Sequence, residues 1–188
     1  MRHFVLLLAL VLPRLSVAQS APDAGNPNFL AKGQVVVGLS VGSGYKGNKP
    51  ETRSLIPRLH YFLADGWSVA VEGRYLKATS LYDFTYLGAG LSTRYYVVRG
   101  KHLAVFAQLG ALYGQSTYHR FDPTDYLATM NGVRNSNWQT SAGLGVQYRA
   151  GKRWSIEAQA ERNWLPASYL TPAYNRWQAG IGLNYHLR

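Results

Sequence analysis

Residues 138–149, WQTSAGLGVQYR, alternate along their whole length. Trp138, Thr140, Ala142, Leu144, Val146 and Tyr148 fall on one side. Gln139, Ser141, Gly143, Gly145, Gln147 and Arg149 fall on the other. A period of two sends successive side chains to opposite faces, which is the signature of a β-strand. The pattern recurs in residues 34–42 (QVVVGLSVG) and 177–188 (WQAGIGLNYHLR). A tilted run of about ten such residues is long enough to cross a bilayer.

Extended to the whole chain, this reading gives eight strands, at about 34–45, 52–63, 67–76, 84–97, 103–115, 137–148, 154–164 and 176–188. The connections after strands 2, 4 and 6 are short, and those after strands 1, 3, 5 and 7 are longer. The longest spans residues 116–136. An even strand count with alternating short and long connections predicts an all-β, eight-stranded, antiparallel up-and-down transmembrane β-barrel with periplasmic termini. Pro57 lacks the N–H that a ladder needs. A bulge or kink in strand 2 is the expected remedy.

The N-terminus reads as a secretory signal. Arg2 and His3 precede the apolar run from Phe4 to Leu12, and Ser16, Val17 and Ala18 supply small residues for cleavage after residue 18. Residues 19–32 form a short lead-in, and residues 33–188 form the barrel domain. The chain has no Cys. Disulfides are therefore excluded, and a closed sheet with no free edge supplies the hydrogen bonding that holds the domain.

Lys+Arg number 20 and Asp+Glu 9, for a formal charge of +11. Removal of Arg2 and Arg14 leaves 18 against 9. The excess is dispersed among loops and turns (Lys46, Lys49, Arg99, Lys101, Lys152, Arg153) and lacks the clustered, aromatic-interleaved form of a nucleic-acid surface. It suits anionic lipid or lipopolysaccharide phosphate. Simple solvation at the membrane rims accounts for it equally well.

Alternation alone does not say which face is the lumen, since a secreted lipocalin-like barrel is apolar inside. The polar face here is mostly Gly, Ser, Gln and Ala (Gly38, Ser40, Gly88, Gly90, Ser92, Gln108, Gly110), which suits a crowded lumen better than a charged exterior. The apolar face carries aromatics at two levels. Tyr61, Trp67, Tyr95, Tyr148, Trp154 and Tyr185 lie toward the short turns. Tyr75, Tyr113, Trp138, Trp164 and Trp177 lie toward the long loops. Two such levels predict interfacial girdles.

Arg58, His60, Glu72, Arg74, Arg94, Arg149, Glu157, Glu161 and His186 fall on the inward face. Buried charge persists when paired. Arg58, Arg74 and Arg94 against Glu72, Glu157 and Glu161 are expected to form a lumen network, either a structural plug or the gate of a narrow pore. No catalytic, cofactor or metal site is expected. The histidines have no paired spacing, no Gly-x-Ser-x-Gly elbow exists, and His119 with Asp122 is only a loop pair.

Residues 57–75 (PRLHYFLADGWSVAVEGRY), residues 93–96 (TRYY) with 104–113 (AVFAQLGALY), and the closing residues 179–188 (AGIGLNYHLR) resemble hairpins and the terminal strand of the small outer-membrane β-barrel family that includes the OmpA- and OmpX-like domains. Arg188 stands where that family usually ends on an aromatic. No OmpA-like peptidoglycan-binding domain is read after strand 8. The resemblance implies an integral outer-membrane protein, inserted by the barrel-assembly machinery, with a structural or adhesive role. A narrow channel for ions or small solutes is the alternative, and a lipid A-modifying enzyme comes third. A monomer is expected, with outer-membrane lipids and lipopolysaccharide as partners. An extracellular ligand through residues 116–136, rich in Tyr and Arg, is a further expectation.

Overall fold

The computed structural model describes residues 30–46, 49–79, 83–119, 132, 134–166 and 174–187. Eight strands appear in chain order: β1 (Val35–Lys46), β2 (Lys49–Ala64), β3 (Trp67–Ala78), β4 (Asp83–Arg99), β5 (Leu103–His119), β6 (Arg134–Arg149), β7 (Trp154–Leu165) and β8 (Tyr174–His186). Each pairs antiparallel with its sequence neighbours, and β8 pairs back onto β1, so the sheet closes into a barrel. The signal and most of the lead-in, residues 1–29, lie outside the described residues, as do residues 120–131 of the longest loop.

The strands run further toward the long-loop end than the alternation predicts. Residues 116–119 and 134–136, expected in the loop, continue the sheet, with Ser116 opposite Asn135 and Thr117 opposite Arg134 on β6, and Tyr118 opposite Phe84 and His119 opposite Asp83 on β4. Lys46, Lys77 and Leu165 likewise lie in strands rather than loops. Backbone pairing continues there although the apolar alternation has ended. The contrast between faces disappears once both meet water, whereas the ladder only needs a partner strand.

Pro57 produces no register shift. Leu55 faces Tyr75 and Arg58 faces Glu72, so β2 and β3 keep one register across the gap, and pairing is interrupted only at Ile56 and Pro57. The opposite residue is Gly73, where an added Cβ would come within 3.2 Å of the Pro57 ring. The ring is housed by a missing side chain, not by a bulge. The β2–β3 irregularity sits instead between Phe62 and Ala64, beside the tight turn. In that turn Gly66 has φ +74°, a conformation that costs glycine little.

The stagger of the barrel follows from the pairing. The row from Ser43 through Arg53, Lys77, Thr85 and Thr117 reaches β6 at Arg134. The same row taken the other way, through Ala179 and Ala160, reaches β6 at Leu144, ten residues away. A closed sheet with this stagger needs strands tilted by about 40°. At that tilt each strand step along a row climbs about 3 Å, and each residue along a strand climbs about 2.5 Å.

The faces divide cleanly. Large apolar side chains such as Leu87, Leu91, Leu109, Leu144 and Ile181 are about two-thirds exposed and point outward. Arg58, Glu72, Arg74, Arg94, Glu157 and Glu161 are buried and point inward. This is the inversion expected of a barrel whose outer solvent is hydrocarbon.

Candidate functional site: the lumen

The inward positions stack into three layers. At the short-turn end Val36, Phe62, Tyr96, Ala104 and Phe106 form an apolar cluster closed by Leu30, which is fully buried. Leu30 is held there because the segment before β1 folds over the β2–β3 turn. Gly66 N–H donates to the Leu30 carbonyl at 2.8 Å, and Lys32 N–H donates to the Asp65 carboxylate at 2.8 Å. At the long-loop end Leu76, Ala78, Tyr86 and Leu165 form a second apolar cluster. Charge lies between them.

All six charged residues singled out in the sequence meet in that middle layer. Arg58 Nε donates to Glu72 Oε2 at 2.8 Å, and its Nη1 reaches Glu157 Oε1 at 3.3 Å. Arg74 Nη2 donates to Glu72 Oε1 at 2.6 Å, and its Nη1 lies 3.0 Å from Glu161 Oε1. Arg94 Nη1 donates to Glu157 Oε2 at 2.6 Å. Three guanidiniums and three carboxylates form one continuous, charge-balanced network. The side chains in these pairs are at most 4% exposed. Removal from water is tolerable only because every ion has an opposite partner and further hydrogen bonds.

Neutral residues complete the network; the alternation placed Ser40, Gln108, Gln139 and Gln147 on the polar face but gave them no partners. Ser40 Oγ and Asn184 Nδ2 donate to Glu157 at 3.0 and 2.9 Å. Gln108 Oε1 accepts from Arg94 Nη2 at 2.8 Å, and Asn163 Oδ1 accepts from Arg74 and from Gln139. Tyr96 donates to Gln147 at 2.5 Å, and Gln147 donates to Ser155 at 2.6 Å. Arg94 lies over the Phe106 ring at 3.8 Å, which joins the charged layer to the apolar cluster below it. Their signal was available in the alternation, since Gln108, Gln139, Gln147, Asn163 and Asn184 all share the inward parity with the charges.

Small residues make room for these long side chains. Cβ atoms at Gly182 and Gly143 would come within 3.0 Å of the side chains of Glu157 and Glu161 respectively. Of the other inward positions, His60 and His186 are buried near the short-turn end, against Ser68 and Ser155. Arg149 is half-exposed at the end of β6 and bonds the Gly151 carbonyl. Among the described residues no three His, Asp or Glu converge as metal ligands do.

On the outer face the aromatic residues occupy two heights. From the stagger, Tyr75, Tyr113, Trp138, Trp164 and Trp177 fall within about 5 Å of one level. Tyr61, Trp67, Tyr95, Tyr148, Trp154 and Tyr185 gather about 20 Å below them. Several are direct neighbours: Tyr113 and Trp138 at 5.3 Å between ring centres, and Trp154 and Tyr185 at 4.8 Å. Arg162 lies near the Trp164 and Trp177 rings, with its Nε donating to Asn175 at 2.7 Å. All are exposed or half-exposed.

Comparison with known proteins agrees with this architecture. Residues 6–186 match the family described as Outer membrane protein beta-barrel domain. The N-terminal β-barrel domain of Pseudomonas aeruginosa OprF is similar at 14% identity and TM-score 0.61, over 83% of this chain and 98% of that one. Neisserial surface protein A is similar at 11% identity and TM-score 0.59, over 81% and 95%. Ail, the attachment invasion locus protein of Yersinia pestis, is similar at 17% identity and TM-score 0.50, over 83% and 99%. At these identities the likeness is one of fold. No curated protein sequence matches.

Proposed function

Because the chain belongs to the outer membrane protein β-barrel domain family and is an integral outer-membrane barrel, we propose that it serves as a plugged scaffold, with a structural or surface-contact role rather than a transport role. The observation that carries this reading is the dryness of the lumen. A water-filled pore leaves its lining side chains wet, whereas the charged side chains here are at most 4% exposed and apolar clusters lie on either side of them. Eight strands enclose a space that side chains can fill. The network is then a structural plug whose six charged side chains tie β2, β3, β4 and β7 together across the lumen.

With the lumen filled, recognition falls to the long-loop end. The aromatic levels act as girdles at the two interfaces. The short turns face the periplasm and the long loops face outside, with residues 116–136 as the principal contact for an extracellular ligand. The protein acts as a monomer without catalytic chemistry, is exported by a cleaved signal at residues 1–18, and is inserted by the barrel-assembly machinery.

Deletion of residues 120–131 tests the contact role. The shortened protein is expected to keep the faster gel mobility of an unboiled barrel while losing most of its binding to host cells or matrix. Unchanged binding would remove the contact role and leave the structural one. The narrow-channel reading rests on the same Arg and Glu side chains, and a conductance measurement separates it.

A further inference from the structure

Arg53 and Lys77 face outward at the long-loop end and stand directly opposite each other across β2 and β3. Directly opposed like charges destabilise a strand pair. Neither has an ion-pair partner among the described side chains. Glu72, Glu157 and Glu161, the three strand carboxylates whose side chains are described, point into the lumen. From the stagger, Arg53 lies at the height of the upper aromatic level and Lys77 about 3 Å above it. An anion held between the two cations would remove the repulsion.

Beside Arg53 the outer wall is hollowed. A shallow trough of about 950 Å³ begins at Ser43 and Arg53 and runs down the wall over β8, β7 and β6. Its floor is small, with Ala179 paired to Ala160 and Ala158 one turn of the pleat below. Leu144, Val146 and Ile181 stand around it. Small residues flanked by branched ones leave a depression that a flexible chain of methylenes fills without displacing anything.

We propose that Arg53 and Lys77 bind the phosphate of an acylated outer-leaflet lipid whose hydrocarbon chain lies in the trough floored by Ala158, Ala160 and Ala179. The two halves fit one molecule. The cations lie at headgroup height, the trough descends into the hydrocarbon zone, and Arg53 borders both. A guanidinium offers a phosphate a forked pair of donors, and an ammonium adds a point charge beside it. The site rests on the reading that the long loops face outside, which puts it in the outer leaflet.

The test uses the full chain, reconstituted in phosphatidylcholine vesicles carrying a minor share of lipid A, re-extracted in mild detergent and weighed by native mass spectrometry for retained lipid. Wild-type protein is expected to keep lipid A, and R53Q/K77Q to retain about tenfold less, the factor that a loss of about 1.4 kcal/mol gives. Ala160→Leu, which fills the trough, should lower retention several-fold, and excess inorganic phosphate should not displace the lipid. Equal retention by wild type and R53Q/K77Q would overturn the site. Full retention by Ala160→Leu would overturn the acyl seat, and displacement by phosphate would reduce the site to a plain anion patch. Each protein is also run boiled and unboiled. If no form shows the mobility shift, the integral-barrel reading fails, a result distinct from a lost lipid peak on a shifted band.

Discussion

Glu157→Ala is expected to destabilise the barrel by about 3–5 kcal/mol, the usual loss when one partner of a buried ion pair is removed. Glu157 accepts from Arg58, Arg94, Ser40 and Asn184 within 3.4 Å, and among the described residues Arg94 has no other carboxylate partner. Without Glu157 the Arg94 guanidinium stays buried with Gln108, the Tyr96 hydroxyl and the Phe106 ring as its remaining partners among the described residues. Arg58 is less affected because Glu72 and Glu161 remain. The double variant Glu157→Leu with Arg94→Leu is expected to recover much of the loss, since replacing both partners leaves no orphaned charge. Urea titration of the folded band in lipid vesicles measures both. A loss below about 1 kcal/mol for Glu157→Ala would mean that the lumen is wet enough to solvate Arg94.

Gly90→Ala is expected to cost about 2 kcal/mol, although alanine ordinarily stiffens a chain to its advantage. An added Cβ at Gly90 would collide with the Ala111 carbonyl oxygen and lie 2.6 Å from Leu112 Cα, both backbone atoms of β5. Backbone cannot rotate away as a side chain can, so β4 and β5 would have to separate. Gly114 faces the same crowding, against the Gly88 backbone directly across the ladder. Gly151 is the control, because nothing lies within 4 Å of its would-be Cβ. Gly151→Ala should change stability by no more than about 0.5 kcal/mol. The same urea titration compares the two, and equal midpoints would show that β4 and β5 are not in close contact at Gly90.

Much of the fold was legible in the sequence because alternation in a membrane barrel is enforced on both faces. Hydrocarbon selects Leu87, Leu109 and Leu144 on one side, and a narrow eight-stranded interior selects Gly, Ser, Gln and paired charge on the other. Where hydrocarbon ends, the enforcement ends. This is why residues 116–119 and 134–136 read as loop while their backbones continue the β4–β5 and β5–β6 ladders. Pro57 misled for a related reason, since a lost donor suggested a bulge and nothing in residues 52–63 reveals that Gly73 lies across the pair. Which charges meet inside also depends on the stagger. Arg58 and Glu157 are 99 residues apart and touch only because β2 and β7 face each other across the lumen. Parity placed them on the same face, but only the ten-residue stagger sets their heights.

The filled lumen is tested most directly by single-channel recording of the purified, folded protein in planar bilayers. Paired charges enclosed by apolar clusters predict a quiet membrane, with no steady conductance step for monovalent ions. Steady steps that vanish on Glu72→Gln or Arg94→Gln would contradict the plug and make the same six residues the lining of a narrow channel.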